Sequence, residues 1–308
     1  MFTAETDYDT VVVGGGVAGL SAALVLGRTR RRALLTDTGT PRNAPASESH
    51  GFLTRDGMPP LELRGVGREQ LSSYESIAVR DVGVTDAVAD GTGFRLQLAN
   101  RESVTTATVL LATGVVDQLP QIEGFQEYWG GDIFHCPYCH GFEVRDRPLA
   151  IYANGDRVAH MAAVLRGWSD DIAVCTGGPA TFSDTDRALL QRHAIQIYER
   201  PIARFAGTAG RLEAIEFDDG TRLARSGIFY GSTTQQRSDL AQRLGCTLAP
   251  EGHIVVDHAG LTSVPGVYAA GDIIDPMMHQ IVYAAASGAR AAAGITNALL
   301  HAAFVGAS

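Results

Sequence analysis

The sequence predicts an α/β protein built from two similar units, because a strand, a tight turn and a helix follow one another twice. The first unit begins with the apolar stretch Tyr8–Val13, which a glycine-rich turn connects to a helix over Leu20–Gly27. The second begins with Leu149–Tyr152 and continues into a helix over Val158–Trp168. Strands that alternate with helices are typical of parallel sheets covered by helices. The predicted fold class is therefore α/β, with two Rossmann-like, three-layer nucleotide-binding domains.

The remaining elements follow from short apolar runs, which predict strands, and from longer periodic runs, which predict helices. The predicted strands are Ala33–Thr36, Ile77–Val88, Phe94–Leu98, Thr108–Ala112, Asp171–Cys175, Ile254–Asp257 and Val267–Asp272. The predicted helices are Leu61–Tyr74 and the alanine-rich stretch Ile281–Leu300. Residues 38–60 are rich in Pro, Gly, Ser and Asn, and they are predicted to form a long loop.

Length, charge and cysteine content limit the function classes. The chain has 308 residues, 45% of them hydrophobic, so it can bury the cores of two domains. Its net charge of −9 disfavours a nucleic-acid partner. Glycines interrupt the charge-free stretch from Thr10 to Gly27, so no membrane span is predicted. The acidic stretch Met1–Asp9 is unlike a signal peptide, and four cysteines are too few for a secreted disulfide scaffold. These features predict a cytoplasmic protein, in which Cys175 and Cys246 are packing residues.

The first chemical motif is a glycine turn: Gly14, Gly16 and Gly19 have the spacing G-x-G-x-x-G. The first glycine permits the tight turn, the second lets the backbone approach a pyrophosphate, and the third lets the helix pack on the strand. The helix N-terminus then offers unpaired N–H groups to the phosphates. Asp37, at the end of the next strand, can accept a hydrogen bond from a ribose hydroxyl. This context favours dinucleotide binding over a turn that merely links strand and helix.

The second chemical motif is a Cys-x-x-Cys pair flanked by histidines. Cys136 and Cys139 can close a small disulfide ring, and His135 or His140 can hold or deliver the proton of a thiol. A structural zinc site normally needs four protein ligands, and the chain has no second such pair, although the two histidines could contribute. Inert buried thiols are a third interpretation. We favour the redox disulfide.

The order of these motifs resembles the low-molecular-weight thioredoxin reductase family of flavoproteins along nearly the whole chain. The shared elements are Gly14–Gly19, Ala112-Thr113-Gly114, the central cysteine pair, Gly271-Asp272, Gln280 and Gly288. The sequence from His135 to Glu143 and the sequence Pro41-Arg42-Asn43-Ala44 resemble more closely the branch that contains the gliotoxin- and holomycin-type dithiol oxidases.

The resemblance implies an FAD-binding domain over residues 1–118 that resumes at 245–308, with a second domain over 119–244 inserted between them. It implies FAD contacts from Gly14, Gly16, Gly19, Asp37, Arg42, Asn43, Ala112, Thr113, Gly114, Gly271, Asp272, Gln280 and Ile281. It also implies that Cys139 faces the flavin and that Cys136 exchanges with the substrate. The expected partner is a small-molecule dithiol or a small redox protein. We expect a homodimer and no metal.

Two departures from the thioredoxin reductase pattern bear on activity. An Asp proton donor follows the second cysteine in those enzymes, whereas His140 stands there in this chain. The loop that would bind NADPH has Ala153 in place of its first glycine and Val158 in place of a small residue. The next turn, Thr176–Phe182, has no basic residue to bind the 2′-phosphate. We therefore predict poor use of a nicotinamide cofactor.

The sequence thus favours a flavin-dependent dithiol oxidase in which electrons pass from a dithiol through Cys136–Cys139 and FAD to dioxygen. One alternative is a disulfide reductase of the thioredoxin reductase type, which would run in the opposite direction with NADPH or a reduced ferredoxin. The other alternative is a flavin-binding scaffold or sensor without redox turnover. A cysteine pair between two histidines argues against the scaffold, because a scaffold has no need of it.

Overall fold

The computed structural model describes residues 6–306, and its chain divides into two units. The first unit comprises the chain up to Ala44, Phe52–Val116 and the chain from Gln235 onward. The second unit comprises Pro45–Gly51 and Asp117–Thr234. Residues 1–5, which belong to the acidic N-terminal stretch, lie outside the described residues.

The two units together contain seventeen strands, eight α-helices and one 3-10 helix among the described residues. The strands are β1 (Tyr8–Val13), β2 (Ala33–Thr36), β3 (Ile77–Arg80), β4 (Val84–Asp90), β5 (Gly93–Leu98), β6 (Ser103–Leu111), β7 (Val115–Asp117), β8 (Ile133–Phe134), β9 (Leu149–Tyr152), β10 (Ile172–Cys175), β11 (Gln196–Tyr198), β12 (Ile202–Thr208), β13 (Arg211–Phe217), β14 (Arg222–Ala224), β15 (Gly227–Tyr230), β16 (Thr234–Gln236) and β17 (Val267–Ala269). The helices are α1 (Val17–Arg28), α2 (Pro60–Leu71), α3 (Phe125–Tyr128), α4 (Pro137–His140), α5 (Val158–Leu165), α6 (Asp184–Arg192), α7 (Leu240–Arg243) and α8 (Ile281–Gly306), and the 3-10 helix is Asp272–Ile274.

The first unit is built on a seven-stranded sheet in the order β3-β2-β1-β6-β5-β4, with β17 also paired to β6. The pairs among β3, β2, β1, β6 and β17 are parallel, whereas β5 and β4 continue the sheet antiparallel. Successive residues of β1 point to opposite faces, so Val11 and Val13 join one core and Val12 joins the other. Helices α1 and α8 cover the face of Val12 through residues such as Leu26 and Ile295. Their close contact depends on Gly288, since a Cβ there would overlap the carbonyl oxygen of Ala18.

The second unit is built on a parallel sheet in the order β11-β10-β9-β15-β8. One face packs against α5 and α6, with Ile151 and Val174 in that core. The other face packs against the antiparallel sheet β12-β13-β14, with Ala150 and Cys175 in that core. The second unit therefore has three layers. The predicted fold class is confirmed.

Some local expectations differ from the structure. Ile254–Asp257 is not a strand, and the prediction was wrong: Ile254 and Val256 form only isolated bridges, because the chain turns sharply at Gly252 and again at Gly260. The predicted strand Ile77–Val88 is two strands, β3 and β4. The chain re-enters the first unit at Gln235 rather than at residue 245, because α7 buries its apolar residues in the core of that unit. No helix among residues 6–306 combines the length and apolar character needed to cross a bilayer.

Candidate redox active site

Cys136 and Cys139 form a disulfide in the second unit, with their Cα atoms 5.3 Å apart. Cys136 lies two residues after the end of β8 and occupies the N-cap of the one-turn helix α4, where Pro137 takes the first helical position. The carbonyl of Cys136 accepts hydrogen bonds from the N–H groups of Cys139 at 3.2 Å and His140 at 3.3 Å. This turn brings the two sulfur atoms together, because an i,i+3 pair lies on one face of a helix.

His140, the last residue of α4, packs against the disulfide turn and the preceding strand. Its ring stacks on Phe134 with the centroids 4.5 Å apart and the planes inclined by 13°. Both ring nitrogens are buried, and neither has a hydrogen-bond partner within residues 6–306. A second imidazole, that of His50, lies edge-on at a centroid distance of 6.1 Å.

The pKa of His140 is lowered from its ordinary value of 6.5 to about 4. Burial is the largest cause, because it disfavours the charged imidazolium, and the charge of His50 lowers the pKa further. The backbone of Glu48 acts in the opposite direction and raises the pKa. From the sequence alone, the near-neutral pKa of a free imidazole predicts that His140 can both hold and deliver a proton. The structure instead makes His140 a neutral side chain at pH 7, able to accept a proton.

His135, on the other side of the cysteine pair, lies beside Trp129 with the ring centroids 6.1 Å apart. Two aromatic side chains near the disulfide face solvent: Tyr138 is 67% exposed and Phe142 is 62% exposed. The guanidinium of Arg145 lies 4.0 Å above the ring of Phe142. The other two cysteines are buried, as predicted for packing residues, and burial raises the pKa of Cys175 to about 12.

The residues expected to bind the cofactor converge on one edge of the sheet in the first unit. Strands β1, β2, β6 and β17 are parallel, so their carboxyl ends lie at the same edge. Ligands of open α/β sheets bind outside this edge. The segments that follow these four ends are Gly14–Gly19, Asp37, Ala112–Gly114 and Gly271-Asp272.

The three motif glycines differ in what surrounds them. Gly14 has φ of +114°, and a Cβ there would overlap the carbonyl oxygen of Ala112. A Cβ on Gly19 would overlap the carbonyl oxygen of Gly14. Gly16 has an ordinary φ of −73° and no atom within 4 Å of a Cβ position, and it is the N-cap of α1 without a side-chain cap. Open space in front of unpaired helix N–H groups is what a pyrophosphate requires.

The charged residues at this edge are paired with one another. Asp37 accepts hydrogen bonds from Arg64 and, at 3.1 Å, from the N–H of Gly39. Arg42 and Asp272 form an ion pair at 3.2 Å. The remaining expected contacts are Asn43, which is half-buried, and Gln280 and Ile281, which lie at the start of α8. The carbonyl of Gln280 accepts the N–H of Ala284 at 2.9 Å.

The corresponding loop of the second unit is hydrogen-bonded to the turn that follows β10. The side-chain oxygen of Asn154 accepts the N–H groups of Gly155 at 3.0 Å and Thr181 at 2.8 Å. Its amide donates to the carbonyl of Pro179 at 2.9 Å. Asn154 therefore ties the turn after β9 to the turn after β10. Val158, the first residue of α5, is fully buried in the core of the second unit, so its side chain is not available to obstruct a pyrophosphate at this turn.

A carboxylate also occupies the turn where a 2′-phosphate would bind. Glu199 accepts the N–H of Ala180 at 3.1 Å and pairs with Arg187 at 2.5 Å. The hydrogen bond from Arg187 lowers the pKa of Glu199, so the side chain is ionised at pH 7. Arg187 is the first arginine after β10, and its charge is already matched. Arg187 is therefore already engaged, and residues 176–182 carry no basic side chain, so the residues present do not fit the 2′-phosphate of NADPH.

Comparisons with known proteins show which family the chain resembles along most of its length. The family model of the pyridine nucleotide-disulphide oxidoreductases matches residues 8–288. Thioredoxin reductase sirT of Leptosphaeria maculans is 32% identical, over 96% of this chain and 95% of that protein. The crystal structure of HlmI superposes with a TM-score of 0.93 at 38% identity, covering 99% of this chain and 96% of that chain. A putative thioredoxin reductase from Bacillus anthracis gives a TM-score of 0.91 at 34% identity, covering 96% of this chain and 99% of that chain.

The chain therefore belongs to the pyridine nucleotide-disulphide oxidoreductase family, and it is a thioredoxin reductase-like oxidoreductase. FAD is its cofactor, as the sequence predicted. The open space at Gly16 and the polar groups at the same sheet edge fit such a dinucleotide. Sequence reasoning missed Arg64, Asn154 and Glu199, whose partners lie far along the chain.

Gly16→Val should purify with a native fold but without FAD. The substitution meets no protein atom and no unusual backbone angle, so the protein should remain folded. The added side chain would occupy the place expected for the pyrophosphate. The flavin content of purified protein, measured by absorbance, tests this. Gly65→Val is the matched control, because Gly65 also faces open space. Full occupancy of Gly16→Val by FAD would refute this assignment.

Proposed function

We propose that this protein is an FAD-dependent dithiol oxidase that converts a dithiol to a disulfide and passes the electrons to dioxygen. The proposal rests on two features together: the Cys136–Cys139 disulfide lies beside a neutral histidine, and the loop that would bind a nicotinamide nucleotide is hydrogen-bonded through Asn154 to the turn after β10. The first feature supports exchange with thiols. The second argues against the electron donor that a reductase needs.

The proposed exchange uses the two cysteines in sequence. A substrate thiolate attacks Sγ of Cys136, so a substrate–Cys136 bond forms, the Cys136–Cys139 bond breaks, and Cys139 leaves as a thiolate. The second substrate thiolate then attacks the substrate sulfur of the mixed disulfide. The product disulfide departs and Cys136 becomes a thiolate. Two electrons have then passed from the substrate to the cysteine pair.

His140 is the proposed acceptor of the proton that the substrate thiol must lose. Its low pKa keeps the ring neutral at pH 7, so a ring nitrogen can take the proton. A thiolate formed on the cysteine pair would then stabilise the imidazolium. His135 is a possible assistant in this proposal, but its ring lies beside Trp129, which favours a packing role.

Bound FAD supplies a two-electron acceptor for the reduced cysteine pair, and dioxygen balances the reaction by becoming hydrogen peroxide. The residues proposed to hold FAD include Gly16, Asp37, Arg42, Asn43, Asp272, Gln280 and Ile281. The proposed substrate is a small-molecule dithiol or the dithiol of a small redox protein. A homodimer and a cytoplasmic location are also part of the proposal.

A disulfide reductase is the second candidate, and the names of the relatives favour it. SirT and the Bacillus anthracis protein both carry the name thioredoxin reductase. The pairing of Arg187 with Glu199 argues against NADPH as its donor, which leaves a donor such as a reduced ferredoxin for this alternative.

Dithiol should reduce the flavin of this protein rapidly, whereas NADPH should do so slowly and with little preference over NADH. A missing arginine contact to phosphate forfeits on the order of 1.5–3 kcal/mol, which lowers affinity roughly ten- to hundredfold. Anaerobic mixing of the oxidised protein with dithiothreitol, and separately with NADPH, would show this in the flavin absorbance. In air, peroxide production with dithiothreitol should exceed NADPH-driven disulfide reduction.

Cys136→Ser is the control for this experiment, because it removes the sulfur expected to react with dithiol. Any flavin bleaching by dithiothreitol in that variant measures the background. Saturable reduction by micromolar NADPH that is faster than reduction by dithiol would overturn the oxidase assignment.

A further inference from the structure

A second histidine, His50, lies next to the ring of His140 in the second unit. The two ring centroids are 6.1 Å apart and the planes are perpendicular. His50 belongs to Pro45–Gly51, the short segment that joins the second unit although its neighbours in sequence belong to the first. This placement brings the two imidazoles together although they are far apart in sequence.

Two carboxylates flank His50. Its Nε2 atom lies 3.5 Å from Oε2 of Glu48 and 3.5 Å from Oε1 of Glu143. The side chain of His50 is only 15% exposed, whereas those of Glu48 and Glu143 are 54% and 33% exposed. His50 therefore lies between two carboxylates in a largely buried position.

The ring of His140 has different surroundings. Phe134 covers one of its faces, and neither ring nitrogen has a hydrogen-bond partner among the described residues. The side chain whose charge acts on His140 is that of His50, while Glu48 contributes only its backbone. The carboxylates of Glu48 and Glu143 are therefore directed to one imidazole of the pair and leave the other without a counter-ion.

We propose that His50, held between Glu48 and Glu143, is a positioning residue whose positive charge, whenever it is protonated, disfavours a proton on His140 and so adds to the effect of burial while the disulfide is oxidised. Two cations this close repel each other, so a proton on His50 disfavours a second one on His140. His140 then remains a base down to acidic pH. Proton acceptance from a substrate thiol rests on the proposed dithiol oxidase function, whereas the distribution of charge within the pair does not.

The first test is the titration of the His140 ring in the FAD-loaded protein, followed by NMR with labelled histidine and assigned with His140→Gln. In His50→Gln, the midpoint should move upward from its low value but stay below that of an ordinary imidazole, because burial remains the larger cause. A double variant, Glu48→Gln with Glu143→Gln, should move it in the same direction, because the charge of His50 loses its support. Both glutamates are partly exposed, so this variant keeps the test available if His50→Gln fails to fold.

The matched control is Glu251→Gln. Glu251 lies 3.9 Å from His253 in the first unit, so the variant removes an equal charge beside a different histidine. It should leave the His140 titration unchanged. An unchanged midpoint in His50→Gln would overturn the proposal, and so would an equal shift in the control.

The second test is the pH dependence of dithiothreitol oxidation. Relative to wild type, the ratio of kcat/KM at acidic pH to that at pH 8 should fall about three- to tenfold in His50→Gln, because more of His140 is then protonated in acid. An unchanged profile would contradict the role in thiol activation. If wild type oxidises no dithiol but the NMR midpoint still moves, the proposed function fails and the charge distribution stands.

Discussion

Cys136→Ser and Cys139→Ser should each abolish dithiol oxidation while the protein keeps its FAD. Each step of the proposed exchange needs one sulfur as nucleophile and the other as leaving group, and a serine hydroxyl serves as neither at neutral pH. The cysteines lie in the second unit, whereas the glycine turn expected to bind FAD lies in the first. Flavin content and peroxide production with dithiothreitol, measured on the same preparation, would test this prediction.

Cys139→Ser should also trap a covalent intermediate of the exchange. In Cys139→Ser, the remaining sulfur at position 136 is the proposed exchange group, so an aromatic disulfide reagent should leave a stable mixed disulfide there. About one thiol should react, because the other two cysteines are buried and the raised pKa of Cys175 disfavours its thiolate. Mass spectrometry of the modified protein would identify the adduct.

Cys246→Ser is the matched control for these changes. Cys246 is buried in the first unit, where its Sγ donates to Oγ1 of Thr262 at 3.5 Å, a contact that a serine hydroxyl can replace. This variant should retain turnover. Activity near that of wild type in either Cys136→Ser or Cys139→Ser would rule out the pair as the redox centre.

His140→Ala should slow dithiol oxidation by about two to four orders of magnitude at neutral pH, the usual range for losing a positioned acid–base group. The loss should be greatest below the pKa of the substrate thiol, where a base is needed to form the thiolate. Raising the pH should restore part of the rate, because thiolate then forms without help. A pH–rate profile of kcat/KM with dithiothreitol tests each of these points.

His140→Phe separates proton transfer from packing. The ring of His140 stacks on Phe134 and its nitrogens make no hydrogen bond within the described residues, so phenylalanine can keep the stacking and lose no polar contact. Its Tm should stay near that of wild type while its activity falls as in His140→Ala. His140→Asp restores the residue type of the thioredoxin reductases and should keep some activity. An unchanged pH–rate profile in His140→Ala would mean that another group, such as His135, holds the proton.

Most of the strands and helices could be predicted because their signals are local. The buried strands β1, β2, β9 and β10 are short apolar runs bounded by turns, and the structure contains each of them within a residue of the prediction. The false strand Ile254–Asp257 also has an apolar run, but its alternate residues only bridge to neighbouring loops. A strand needs a partner that runs alongside it, and composition does not report whether one exists.

The sequence by itself determined the fold class, the family and the cysteine pair, because each depends on short local motifs and on their order along the chain. A glycine turn between a strand and a helix, or two cysteines within one helical turn, has few physical alternatives. Only the tertiary structure decided the state of the site. It placed His50 beside His140. It left open space at Gly16 and filled the space around Gly14 and Gly19. It also joined the loop after β9 to the turn after β10 through Asn154, and it placed the carboxylate of Glu199 at that turn. Burial and long-range charge set these properties, and both arise only when distant segments of the chain pack together.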